Sequence, residues 1–115
     1  MAQSFRDHKT TSFLAEGTEL EGVLQVKGGI RIDGKVKGEI QSESVIYVGD
    51  QAVIDANIAA EGVISSGRIT GDIKTGQQVM VSVPGSIKGG IETRELILEK
   101  GVYFDGTCKL VDPRK

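Results

Sequence analysis

The chain has 115 residues, of which 38% are apolar and only 4% aromatic, with no tryptophan. Its net charge of −2 gives no broad electrostatic reason to bind nucleic acid, and its single cysteine excludes an internal disulfide. No apolar run approaches the roughly 18 residues of a membrane span and no secretory signal is visible, so we expect one cytoplasmic domain with an Ile, Val and Leu core.

The first 15 residues are polar and carry no repeated pattern, so we predict a disordered N-terminal tail over 1–15. Phe5 lies close to Arg6 and Lys9, which together form a weak membrane-targeting signal. Stable anchoring normally needs more than one such signal, but many tails on one polymer would bind a membrane with avidity.

A five-residue pattern of apolar, any, small, any, apolar occurs six times after residue 16. Its central small residues are spaced 16, 18, 15, 18 and 17 apart. A repeat of this kind predicts stacked units, because no single unit can bury its own apolar face. The central residues of the six copies are Gly22, Gly38, Ala56, Gly71, Gly89 and Gly106.

Within residues 16–110 the apolar residues alternate with period 2, which is typical of strands rather than helices. Signals for two-residue hairpins are nearly missing, which disfavours an antiparallel sandwich. We therefore predict an all-β single domain, a right-handed parallel β-helix of about six coils with three short strands per coil. The small central residues should point outward or occupy bends, and 111–115 should be a short C-terminal tail.

Three sequence features resemble the bactofilin family over roughly residues 13–110. They are the six copies at irregular spacing, the run from Val36 to Gly49, and the closing run Glu99–Cys108. The resemblance implies a bacterial cytoskeletal protein with a triangular β-helix that polymerises end to end, without nucleotide, into apolar filaments and sheets. It also implies peripheral association with the inner membrane through a short N-terminal segment, and partners among cell-wall synthases or hydrolases and their membrane anchors.

The ends of such a stack would expose unpaired backbone groups and the apolar cross-section of the core. The segments outside the repeat are too short or too polar to form a convincing cap, so at least one end should be open and should bind another copy. Phe13 and Leu14 are further candidates at the N-terminal end. The residues predicted to form the polymerisation interface are Phe104, Cys108, Leu110, Val102 and Leu98 at the C-terminal end and Leu20 and Leu24 at the N-terminal end.

An enzyme is disfavoured by the residues themselves. The only histidine, His8, lies in the tail, the spacings do not fit the six-residue repeat of β-helical acyltransferases, and no glycine-rich phosphate loop precedes a helix. His8 and Cys108 are too far apart in sequence to suggest a metal site. Cys108 occupies an apolar position of the sixth copy, so we expect it to be buried. We expect no catalytic residue, cofactor or metal, and one alternative stays open: a monomeric, capped β-helix that binds a protein partner.

Overall fold

A computed structural model describes residues 12–111 and shows a solenoid of eleven parallel strands. The described residues contain no helix, and therefore none that crosses a membrane. The strands are β1 Ser12–Leu14, β2 Glu19–Val26, β3 Ile30–Ile32, β4 Lys35–Ser42, β5 Val45–Val48, β6 Val53–Ser65, β7 Arg68–Thr70, β8 Ile73–Val81, β9 Ser86–Thr93, β10 Glu95–Leu98 and β11 Tyr103–Leu110.

Parallel pairing arranges these strands in six levels around three ladders, which we name faces A, B and C in chain order. The prediction of an all-β parallel solenoid of about six coils is therefore confirmed. Strand β1 lies inside the predicted tail 1–15 and pairs with β3, so the first level begins before residue 16. Face A contains 12–14, 30–32, 45–48, 62–65, 78–81 and 95–98; face B contains 19–21, 35–37, 53–55, 68–70, 86–88 and 103–105; face C contains 23–26, 39–42, 57–60, 73–75, 90–93 and 107–110.

The corner between faces B and C is formed by the small central residue of each copy. Gly38 has φ +127°, and a Cβ there would collide with the carbonyl oxygen of Gly22 one level below. Glycine bends the chain sharply at this point without interrupting the ladder, so β2, β4, β9 and β11 each run through the corner as eight-residue strands. The prediction that the central residues occupy bends is confirmed, whereas the strands that run through this corner are longer than the short strands predicted.

Turn length explains the irregular spacing of the copies. The corner between face A and the next face B has two residues at 33–34 and 66–67, but four at 49–52, 82–85 and 99–102. The four-residue turns are closed by a hydrogen bond between their ends, such as Ala52 N–H to the Gly49 carbonyl at 3.1 Å and Gly85 N–H to the Ser82 carbonyl at 2.7 Å. Both 18-residue spacings contain a four-residue turn, and the 15-residue spacing contains a two-residue one.

The core is a set of columns in which equivalent side chains of successive levels stack. One column on face B, for example, contains Ile54, Ile69 and Ile87, each with no exposed surface. Burying each such side chain stabilises the fold by about 1.5–3 kcal/mol. Two core positions on face C are hydroxyls: Thr75 donates a 2.6 Å hydrogen bond to Thr93, so neither is left without a partner.

Candidate functional site at the two end faces

The first and last levels have strand partners on one side only. Among residues 12–111, β1 and β2 pair only with β3 and β4, and β10 and β11 pair only with β8 and β9. The remaining N–H and C=O groups along these edges point away from the stack. An unpaired, flat strand edge is a template for pairing with another chain.

The N-terminal end face is the exposed side of the first level. Its inward side chains continue the core columns but are covered from one side only, so they are half-buried. Leu20 stacks on Val36 and Leu24 stacks on Ile40. The members of this face are Leu14, Leu20, Leu24 and Val26.

The C-terminal end face is the exposed side of the last level. Phe104 and Cys108 stack on Ile87 and Ile91, and Leu110 stacks on Thr93. Leu110 is 61% exposed and Leu98 is 39% exposed, whereas Ile91 directly beneath Cys108 is 3% exposed. The members of this face are Leu96, Leu98, Val102, Phe104, Cys108 and Leu110.

All seven residues predicted from the sequence to form the polymerisation interface lie in the two terminal levels. The structure brings Phe104, Cys108 and Leu110 together on one strand, with Leu98 and Val102 from the preceding segment of the same level. Leu20 and Leu24 lie at the opposite end of the stack. Their participation in a contact between copies stays a prediction.

Two residues at the ends differ from expectation. Cys108 is exposed, so the prediction of a buried thiol is wrong: it is in register with the buried Ile91, but the described residues form no coil above the last level. Phe13 is in register with the exposed Arg31 and points outward, so it does not belong to the end face, whereas its neighbour Leu14 does.

Sequence reasoning missed Val26 and Leu96 as members of the end faces. Val26 is in register with Ser42, and Leu96 is in register with Val79, which places both side chains in inward columns. The period-2 alternation carried that signal, since Val26 follows Leu24 by two residues and Leu96 precedes Leu98 by two. The predicted membrane-targeting residues Phe5, Arg6 and Lys9 lie outside the described residues.

The sides of the solenoid carry exposed charged side chains. Over residues 12–111 no three His, Cys, Asp or Glu side chains lie close enough to hold a metal ion. The ion pair within this part of the chain joins Arg31 Nε to Asp33 Oδ2 at 3.0 Å, and hydrogen bonding to Asp33 raises the pKa of Arg31 above its ordinary value. An open groove of about 690 Å³ runs along face C and is lined in part by polar side chains such as Gln25, Gln41 and Lys74.

A family model described as "Bactofilin: Polymer-forming cytoskeletal" matches residues 12–109. Bactofilin BacO of Myxococcus xanthus (strain DK1622) is 28% identical over 91 residues, which cover 79% of this chain and 72% of BacO. Bactofilin BacP of the same organism is 27% identical over 93 residues, covering 81% of this chain but only 39% of BacP. The solid-state NMR structure of the cytoskeletal bactofilin BacA superposes with a TM-score of 0.80 at 28% identity, covering 89% of this chain and 97% of that one.

Proposed function

Since this chain belongs to the bactofilin family of polymer-forming cytoskeletal proteins, we propose that it assembles into filaments by stacking the end faces of its solenoid. One observation carries the proposal. Columns that are fully buried at interior levels emerge at both ends as half-buried or exposed apolar side chains. A contact between end faces would bury them and complete the ladders of β1, β2, β10 and β11.

Such a contact needs no nucleotide or other energy source. Removing large apolar side chains such as Phe104, Leu98 and Leu110 from water is favourable by about 1.5–3 kcal/mol for each fully buried side chain. Pairing the free strand edges satisfies backbone groups on three ladders at once. A contact that does not close on itself then repeats along one axis and gives a filament.

The filament acts as a scaffold for cell-shape or cell-wall-remodelling proteins at the inner membrane. Stacking through the ends leaves all three faces of every subunit accessible along the polymer. Face B presents charged side chains at regular height, including Lys35, Lys37 and Lys88, and face C presents a polar groove. Surfaces repeated along a rigid polymer bind multivalent partners far more strongly than a single copy does.

Phe104→Arg tests the end-face contact. The charged guanidinium points toward the incoming coil, where burial without a partner is unfavourable, whereas in the monomer it extends into water from the last level. We expect a folded, monodisperse monomer and no filaments by negative-stain electron microscopy in buffer without nucleotide or metal.

Tyr103→Arg is the matched control, because Tyr103 is the preceding residue of β11 and its side chain is 61% exposed on the outside of face B. This variant should polymerise like the wild type. Filaments of Phe104→Arg would show that the C-terminal end face is not the contact. A wild type that stays a monomer in plain buffer would instead favour a capped β-helix that binds a protein partner.

We further propose that the N-terminal tail holds the filament at the membrane through Phe5, Arg6 and Lys9. A single tail with one ring and two cations binds weakly, but many tails along a filament add their affinities. Deleting 1–11 keeps β1 intact and should abolish co-sedimentation of filaments with anionic phospholipid vesicles while filament formation persists. Unchanged pelleting after the deletion would end the proposed role of this segment.

A further inference from the structure

One of the two rows of outward side chains on face A forms an apolar ridge that runs the full height of the solenoid, while the other row includes the polar residues Gln78 and Glu95. One outward residue per level is in direct register with the next, from the first level to the sixth. We define the apolar ridge by these six residues. They are Phe13, Arg31, Tyr47, Ile64, Met80 and Ile97.

Face B shows that this composition is not a general property of the solenoid surface. Its outward positions are mostly charged, as expected for strands in contact with water. On the apolar ridge, by contrast, Phe13 is 58%, Tyr47 43% and Ile97 38% exposed. The charged outward residues of face B are Glu19, Glu21, Lys35, Lys37, Asp55, Arg68, Lys88 and Asp105.

The single cation on the apolar ridge has its own partner. Arg31 is bound to Asp33 through two nitrogen–oxygen contacts, at 3.0 and 3.3 Å, and the Asp33 carboxylate is largely buried beside it. Covering the ridge would therefore not leave an unpaired charge. The absence of free cations also makes this surface a poor match for anionic lipid, which attracts unpaired Lys and Arg.

We propose that the apolar ridge is a lateral contact between two copies of this chain in neighbouring filaments. This inference rests on the end-to-end stacking proposed above. A ridge about 24 Å tall and about 10 Å wide offers on the order of 240 Å² per copy. Stable complexes bury about 800 Å² per partner, so two free monomers do not stay paired through this surface.

End-to-end stacking changes that balance, because it repeats the ridge once per subunit along the filament. Two filaments lying side by side then add many small contacts, and each new contact forms at high effective concentration. Lateral pairing therefore follows polymerisation and grows stronger with filament length.

Antiparallel pairing suits the order of residues along the ridge. When level one opposes level six, Arg31 faces Met80 and Tyr47 faces Ile64, so a ring or a guanidinium lies against an aliphatic side chain. Parallel pairing would place each Arg31 against another Arg31, which is unfavourable for like charges. An antiparallel contact uses the same surface on both copies and is closed by a two-fold axis.

The test is a double variant, Tyr47→Lys with Met80→Lys, which adds two cations to the ridge at positions that point to solvent. Differential centrifugation separates the two kinds of contact, because bundles pellet at low speed and single filaments pellet only at high speed. We expect the low-speed pellet to fall by at least about tenfold while the high-speed pellet is unchanged. Electron micrographs should show single filaments.

The matched control is Ala59→Lys with Thr70→Lys, which adds the same two charges to exposed outward positions at middle levels of faces C and B. This control should bundle like the wild type. Bundles that persist in the ridge variant would overturn the proposal. A second result would also overturn it: wild-type filaments stay single in buffer, and the ridge variant loses binding to anionic phospholipid vesicles. The ridge would then contact lipid rather than another filament.

Failure of the end-face proposal gives a different result. A wild type that makes no filament overturns both proposals, because lateral pairing needs a filament. Single wild-type filaments that never bundle overturn the lateral contact alone.

Discussion

The interior levels and the terminal levels of this solenoid are built from the same columns but meet different surroundings. Ile54 and Ile69 have no exposed surface, while Leu20 and Phe104, in the same column, are each covered from one side only. Apolar residues persist at the ends, where a monomer would leave them in contact with water. The terminal levels therefore expose apolar surface that the proposed stacking of end faces would cover.

One column on face C is more apolar at its two ends than in its interior. It is polar or small at interior levels, with Ser42, Thr75 and Thr93, but apolar at the two ends, with Val26 and Leu110. A monomer in water would favour the reverse order. The hydroxyls lie where neighbouring levels supply hydrogen-bond partners, and the apolar residues lie where another copy would bury them.

The corner glycines show the largest difference between interior and terminal levels in the space available to an added Cβ. A Cβ on Gly89 would collide with the carbonyl oxygen of Gly71 in the level below, and φ is +138°. Gly22 has a similar φ of +130°, but a Cβ there would contact nothing within 4 Å, because residues 12–111 form no level beneath it. A Cβ at this corner points toward the N-terminal side, so at Gly22 it would project from the N-terminal end face.

Gly89→Ala should have the largest effect on the monomer. Backbone strain costs about 1–2 kcal/mol at such a φ, and the collision with backbone cannot be relieved without separating two levels. We expect a loss of more than about 3 kcal/mol of unfolding free energy, or failure to fold. Urea unfolding followed by circular dichroism, in the Phe104→Arg background to remove the contribution of polymer, measures it.

Gly22→Ala is the matched variant at the end of the same column. It should lose only the strain of about 1–2 kcal/mol and fold as a monomer. In the otherwise wild-type chain its methyl group should hinder filament formation by occupying the N-terminal end face. Normal filaments of Gly22→Ala would mean that this corner takes no part in the contact between copies.

Much of the fold could be predicted from the sequence, because the signal was local and repeated. Alternation over five residues showed which side chains point inward, and six copies showed that the units stack. The residues of the end faces followed from their position in the first and last copies. Chain order alone was enough to identify Leu20 and Phe104 as members of terminal coils.

The features that escaped prediction depend on register between distant segments. The neighbours Tyr47 and Ile64 are 17 residues apart; Tyr47 is exposed and Ile64 is partly buried, and only the parallel pairing of β5 with β6 aligns them in a ridge. The sequence of the turn Gly49–Ala52 also does not indicate at which residue the next strand begins to pair. Cys108 was expected to be buried because its apolar position is buried at interior levels, but within residues 12–111 no further coil covers the last level.

The smallest predicted changes in stability concern the face C column that contains Thr75, Thr93 and Leu110, and they compare its interior positions with its exposed end. Thr75 donates its hydroxyl proton to Thr93, and Thr93 donates its own to the carbonyl of Glu95 at 3.2 Å, across the turn at Arg94. Thr93→Val leaves both the Thr75 hydroxyl and the Glu95 carbonyl without these partners, so it should cost about 1–3 kcal/mol. Thr75→Val leaves the bond from Thr93 to Glu95 intact and should lower the unfolding free energy by less. Adding Thr75→Val to Thr93→Val should recover part of the lost stability, because the hydroxyl left without a partner is removed.

Leu110→Thr places the same kind of side chain at the exposed end of the column, where unfolding free energy should change by less than about 0.5 kcal/mol while filament formation weakens. Urea unfolding of the four variants in the Phe104→Arg background, with sedimentation of Leu110→Thr in the otherwise wild-type chain, measures these differences. Equal losses for Thr75→Val and Thr93→Val would show that the two hydroxyls do not form a directed chain. A large loss of monomer stability in Leu110→Thr would show that the terminal level is packed as an ordinary core layer.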